Sequence, residues 1–83
     1  MTDLTPLASA LHSKIWPLVS ARCTEQCETI DEENAYMNRA VPQYAPGLLS
    51  TPADILGLIW GVSAIEADLW RVEIAEALHA HGA

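Results

Sequence analysis

Hydrophobic and polar positions along this chain fall into three stretches of helical period, separated by prolines. Leu4, Leu7, Leu11, Ile15 and Leu18 recur every three or four residues, the spacing that lines one face of an α-helix. Thr5 stands where an N-cap belongs and Pro6 at the first helical position, an arrangement that helix starts favour. Pro17 interrupts this stretch, and it either kinks one long helix or begins a second. Beyond it, Val19, Cys23, Ile30, Met37 and Val41 form a narrower stripe with Cys27 and Asn34 on its edge. The segment AVPQYAPGLLSTPAD, with three prolines and a glycine, predicts a loop over 41–51. Thr51 as cap, Pro52 as first residue and Asp54 in the first turn then restart a helix running without further proline to about residue 80.

In that last stretch, Ile55, Leu58, Val62, Ile65, Leu69 and Val72 keep the 3-4 spacing of a heptad seam. Trp60 and Leu56 point away from the seam, and Ile74 and Leu78 continue their side. A helix with two apolar flanks calls for two neighbours. One flank is expected to meet the chain's own N-terminal helices and the other a second copy. Ala53, Gly57 and Gly61 repeat every four residues between the flanks, as small residues do where helices approach closely. Intrachain packing explains that ridge as well as dimerisation does.

No strand pattern or internal repeat is present. The pattern predicts one all-α domain, a small bundle of two to three helices over about 6–16, 17–40 and 52–80, completed by homodimerisation. Composition sharpens this expectation. Of 83 residues, 51% are hydrophobic and 18% charged, more apolar surface than a core of this size readily hides. The interface is expected at Ile55, Gly57, Leu58, Trp60, Gly61, Val62, Ile65, Leu69 and Trp70.

Charge narrows the partners. The formal net charge is −7, with four Lys and Arg together, so the clustered cations that phosphate binding needs are missing. Direct nucleic-acid binding and docking to an anionic membrane are therefore not expected. Glu25, Glu28, Asp31 and Glu32 mark an acidic outer face on the second helix, which is either solvated or a docking surface for a basic partner. No leader pattern is visible at the N-terminus, the longest apolar run is too short to span a bilayer, and the two cysteines form no disulfide scaffold. A cytoplasmic location is expected.

Candidate chemistry is sparse. Cys23 and Cys27 read as small core residues rather than as half of a metal site. No nucleophile motif or phosphate loop occurs, and no cofactor is expected. Glu66 and Glu73 fall within the apolar arc of a continuous third helix, with Glu76 at its edge. Glu76 and His79 make a Glu-x-x-His pair. That spacing resembles half of the di-metal carboxylate site of ferritin-like bundles, with Glu66, Glu73, Glu76 and His79 as ligands. The leading expectation is a non-enzymatic helical protein acting by protein–protein binding, as adaptors and phage- or prophage-encoded inhibitors of host proteins do. A ferritin-like metal-binding dimer is the alternative.

Overall fold

The computed structural model describes residues 3–81. Four helices, α1 (Pro6–Gln26), α2 (Ile30–Leu48), α3 (Ala53–Trp60) and α4 (Ala64–Ala80), make up the fold, and no strand occurs among the described residues. None of these helices is long and apolar enough to cross a membrane.

The helix boundaries depart from the sequence expectation at residues 27–29, 42–46 and 61. Thr5 caps α1 as expected, its hydroxyl accepting from the Ala8 amide at 3.2 Å. Asn38 fastens this end to α2: its Oδ1 accepts from the Thr5 amide and its Nδ2 donates to the Asp3 carbonyl, both at 2.9 Å. Of the two readings of Pro17, the single long helix holds: α1 continues through it to Gln26. The proline lies on the exposed side of the helix, where the carbonyl it leaves without a partner can be hydrated.

A break does occur at residues 27–29, inside the stripe read as one helix. Thr29 caps α2, its hydroxyl accepting from the Glu32 amide at 3.1 Å, and the Glu32 carboxylate accepts from the Glu28 amide at 3.3 Å. This is close to the reciprocal arrangement that Thr-x-x-Glu offers a helix start. Asp31, Glu32 and Glu33 occupy the first turn, where the helix dipole favours negative charge. The new start also turns Ile30 outward, leaving it 73% exposed.

Instead of a loop over 41–51, α2 continues through Pro42 and Pro46. The two prolines sit four residues apart on the solvent side, while Met37, Val41, Ala45 and Leu48 bury the opposite side. Each proline removes one hydrogen bond, on the face where water can replace it.

The long third helix is in fact two helices. Gly61 adopts a left-handed conformation (φ 71°) that ends α3, the role glycine fills without steric cost. The Gly57 carbonyl accepts from the amides of both Gly61 and Val62. Ser63 then caps α4, its hydroxyl accepting from the Glu66 amide at 3.2 Å. Thr51 is not a cap: α3 begins after Pro52 with no side-chain cap, and the Thr51 hydroxyl donates to the Gly47 carbonyl at 2.9 Å.

α1 packs most extensively on α2 and α3 on α4; α4 then rests on both α1 and α2, and α3 on α1. The result is two layers. Helix axes about 8–10 Å apart, with Cα atoms about 2.3 Å from each axis, give a slab about 13–15 Å thick, and the Cα extents are 37 × 28 × 15 Å. Between the layers lie Leu7, Leu11, Ile15 and Val19 of α1, Met37, Val41 and Ala45 of α2, Leu56 of α3, and Ala67, Ile74 and Leu78 of α4. No buried side-chain nitrogen or oxygen among the described residues lacks a partner.

Candidate interaction surface

Of the two apolar flanks, one closes the core. Leu56 and Ile74 are fully buried, Leu78 nearly so, and Trp60 packs against them. Trp60 also donates its indole N–H to the Lys14 carbonyl at 2.8 Å, fixing α3 on α1. Its ring meets Trp70 at 4.9 Å between centroids. The Lys14 ammonium sits 5.1 Å from the Trp70 ring centroid and 2.8 Å from the Glu73 carboxylate. Lys14, Trp60, Trp70 and Glu73 thus form one patch joining α1, α3 and α4.

The other flank is left in solvent. On α4, Ala67, Ile74 and Leu78 face the core, and a helix of 3.6 residues per turn places Ile65, Leu69 and Val72 on the opposite side. These three are 78%, 60% and 54% exposed. On α3, Leu58 is 86% exposed, and Ile55 and Ile59 are exposed as well. Summed over the two helices, the six residues expose on the order of 600 Å² of the chain's 5097 Å². The other layer turns Ser9, Ala10, Ser13 and Ala21 of α1 and Gln43 of α2 outward, so the two broad faces of the slab differ in character.

The remaining residues expected at the interface lie elsewhere. Val62 and Trp60 are half-buried against the core, and Trp70 is half-buried against the Trp60 ring. Gly57 is buried by its own chain: a Cβ there would stand 2.6 Å from the Val62 carbonyl oxygen. Close backbone approach does explain this glycine, but the approaching backbone is the chain's own turn. Gly61 serves that same turn through its positive φ. The small-residue ridge is therefore accounted for within one molecule.

The candidate metal ligands do not converge. Glu66, Glu73, Glu76 and His79 are all exposed, and no group of three or more His, Cys, Asp or Glu among the described residues could hold a metal ion. Their placement on the apolar arc assumed one helical phase from residue 52 to 80, and the turn at Gly61 resets that phase. Glu66 is the third residue of a new helix, behind its Ser63 cap.

The acids of the second-helix face are placed at the junction between α1 and α2. Glu25 lies near the end of α1, Glu28 in the connection, and Asp31 and Glu32 in the first turn of α2. All four are exposed. Cys23 is buried and Cys27 half-buried at the end of α1. Burial, a hydrogen bond with the Cys27 thiol and the nearby Glu33 push the Cys23 thiol up to about 11 from its usual 9.0, so the thiolate needed for nucleophilic or metal chemistry is disfavoured there. No pocket opens among the described residues.

Comparison with protein-family models, with curated proteins and with solved structures finds no match to this chain.

Proposed function

We propose that this chain is a non-enzymatic protein-binding module whose working surface is the outer face of α3 and α4, in the manner of an adaptor or an inhibitor. The observation that carries the reading is the stripe Ile55, Leu58, Ile59, Ile65, Leu69 and Val72, exposed on a broad face of a slab whose own core is already closed. Contributing on the order of 600 Å² from one side, it approaches the roughly 800 Å² per partner of a standard protein–protein interface. Burying it at about 25 cal/mol per Å² gives a gross gain on the order of 15 kcal/mol, much of it offset by the cost of association. A surface rather than a cleft suits binding to another macromolecule.

A second copy and a helical segment of another protein both match this face in area, and homodimerisation remains one form of the proposal. Replacing Leu58, Ile65 and Leu69 together by Ser tests the common element. The variant is expected to keep the helical circular dichroism of the wild type. It should lose whatever assembly the wild type makes, read as mass by light scattering and as co-purifying protein from the source. Unchanged mass and an unchanged partner set would refute the reading.

A further inference from the structure

The apolar stripe is bordered by carboxylates. Glu66 and Glu73 lie along one edge of it on α4, Asp68 along the other, and Glu76 in line with it towards the C-terminal end. On α3, Asp54 stands beside Leu58. The nearby cations are engaged within the chain: Lys14, 12% exposed, pairs with Glu73, and Arg71 holds Asp68 and donates to the Thr51 carbonyl at 2.8 Å. Asp54, Glu66 and Glu76 have no ion-pair partner among the described residues.

Resting on the reading that this face binds protein, we infer that its occupant is a basic amphipathic helix of another protein. The occupant's aliphatic stripe lies along Leu58, Ile65 and Leu69, and Lys or Arg on its flanks meets Asp54, Glu66 and Glu76. Helix-on-groove binding takes its affinity from such an apolar seam, and complementary charge at the rim sets orientation and excludes wrong partners. A second copy offers the wrong chemistry. Each chain carries a net −7, so a face-to-face dimer brings two sets of Asp54, Glu66 and Glu76 to one seam, where the nearby Lys14 and Arg71 of the described residues are already engaged.

The test uses the purified full chain and three model peptides about as long as α4, roughly 25 Å of helix. One is an amphipathic Leu/Lys helix, one its Leu/Glu counterpart, and one a scrambled Leu/Lys sequence without a stripe. Calorimetry is expected to show one-to-one binding of the amphipathic Leu/Lys peptide only. Its affinity should fall about fivefold or more between about 50 and about 300 mM salt, as rim charges are screened. The pair Glu66→Gln, Glu76→Gln should weaken binding by about tenfold, as loss of two rim ion pairs allows, and Glu25→Gln, Glu28→Gln should leave it within twofold. Ile65→Ser with Leu69→Ser should abolish it.

Equal binding of the Leu/Glu or the scrambled peptide overturns the inference, as does equal sensitivity to the two Glu pairs. A self-association that strengthens with salt, needs Ile65 and Leu69, and is not displaced by the Leu/Lys peptide also overturns it; that outcome leaves the protein-binding face intact with a second copy as its occupant. If Ile65→Ser with Leu69→Ser alters neither peptide binding nor self-association, the binding face itself is refuted.

Discussion

Alanine is a better helix former than glycine, yet Gly57→Ala is expected to destabilise this protein. Within α3 the exchange gains about 1 kcal/mol in helix propensity. Against that, the new methyl would stand 2.6 Å from the Val62 carbonyl oxygen, at least 0.8 Å inside ordinary contact, with Ser63 and Ala64 backbone atoms at 3.4 and 3.5 Å behind it. The obstacle is backbone held by two hydrogen bonds to Gly57 itself, so it cannot swing away as a side-chain tip would. Forcing a methyl into a packed site of this kind costs about 2–3 kcal/mol. The net loss is about 1–2 kcal/mol, or roughly 5–15 °C in Tm for a domain of this size. Two further glycines calibrate the result. Gly47→Ala, in α2 with open space around it, should gain about 0.5 kcal/mol. Gly61→Ala meets no atom but must hold φ at 71°, costing about 1 kcal/mol. Thermal and urea melts followed at 222 nm measure all three. If Gly57→Ala melts at or above the wild-type temperature, the turn over residues 61–63 does not cross α3 as described.

Trp60→Phe removes the indole donor to the Lys14 carbonyl and part of the contact with Trp70, and a loss of about 1–2 kcal/mol in urea unfolding is expected; no change would mean that bond is not formed. The exposed pair Leu58→Ser and Ile65→Ser should change monomer stability by no more than about 0.5 kcal/mol each, and a large destabilisation would show that these residues are buried in the chain's own fold. Iodoacetamide near pH 8 should modify Cys27 well before Cys23, checked by peptide mass, because the Cys23 thiol is both covered and raised to about 11. Since the native state holds that proton more tightly than the unfolded chain, stability should decline as pH rises from about 9 towards 11, the window between the two values; a flat profile there in wild type, or the same decline in Cys23→Ala, would refute the assignment.

The all-helical class and the inner face of α1 are legible in the sequence because Leu7, Leu11 and Ile15 repeat at helical spacing and Thr5-Pro6 marks a start. The errors arise where a punctuating residue was weighed without its face. Pro17, Pro42 and Pro46 all lie on solvent sides, and the run Met37, Val41, Ala45, Leu48 carries the helical period past two of them. Conversely, Thr29 and Ser63 each precede a Glu by three residues, the signature of a helix start. An unbroken apolar pattern hid both. Of the candidate surface, Ile55, Leu58, Ile65 and Leu69 could be read from the seam. For Gly57 the sequence leaves intrachain packing and dimerisation equally open, because the turn that brings Val62 over Gly57 is a tertiary fact. The turn at Gly61 resets the helical phase that placed Glu66 and Glu73 on the apolar arc, and the apolar pattern carries no sign of that turn.

The turn at Gly61 also settles a choice that α4 leaves open. This helix could in principle present Ile65, Leu69 and Val72 to the core in place of Ala67, Ile74 and Leu78, since both sets are apolar and lie half a revolution apart. Hydrophobicity does not discriminate between them; bulk and the entry angle do. Ala67 is small enough to let α4 lie close to the other layer, and the locked path from Gly57 to Ser63 fixes the rotation at which the helix begins. A single residue inserted into that path would rotate α4 by about 100°, taking Ala67, Ile74 and Leu78 off the core and turning an acidic edge of the helix toward it. The turn over residues 61–63 thus acts as the selector between a surface for folding and a surface for meeting others.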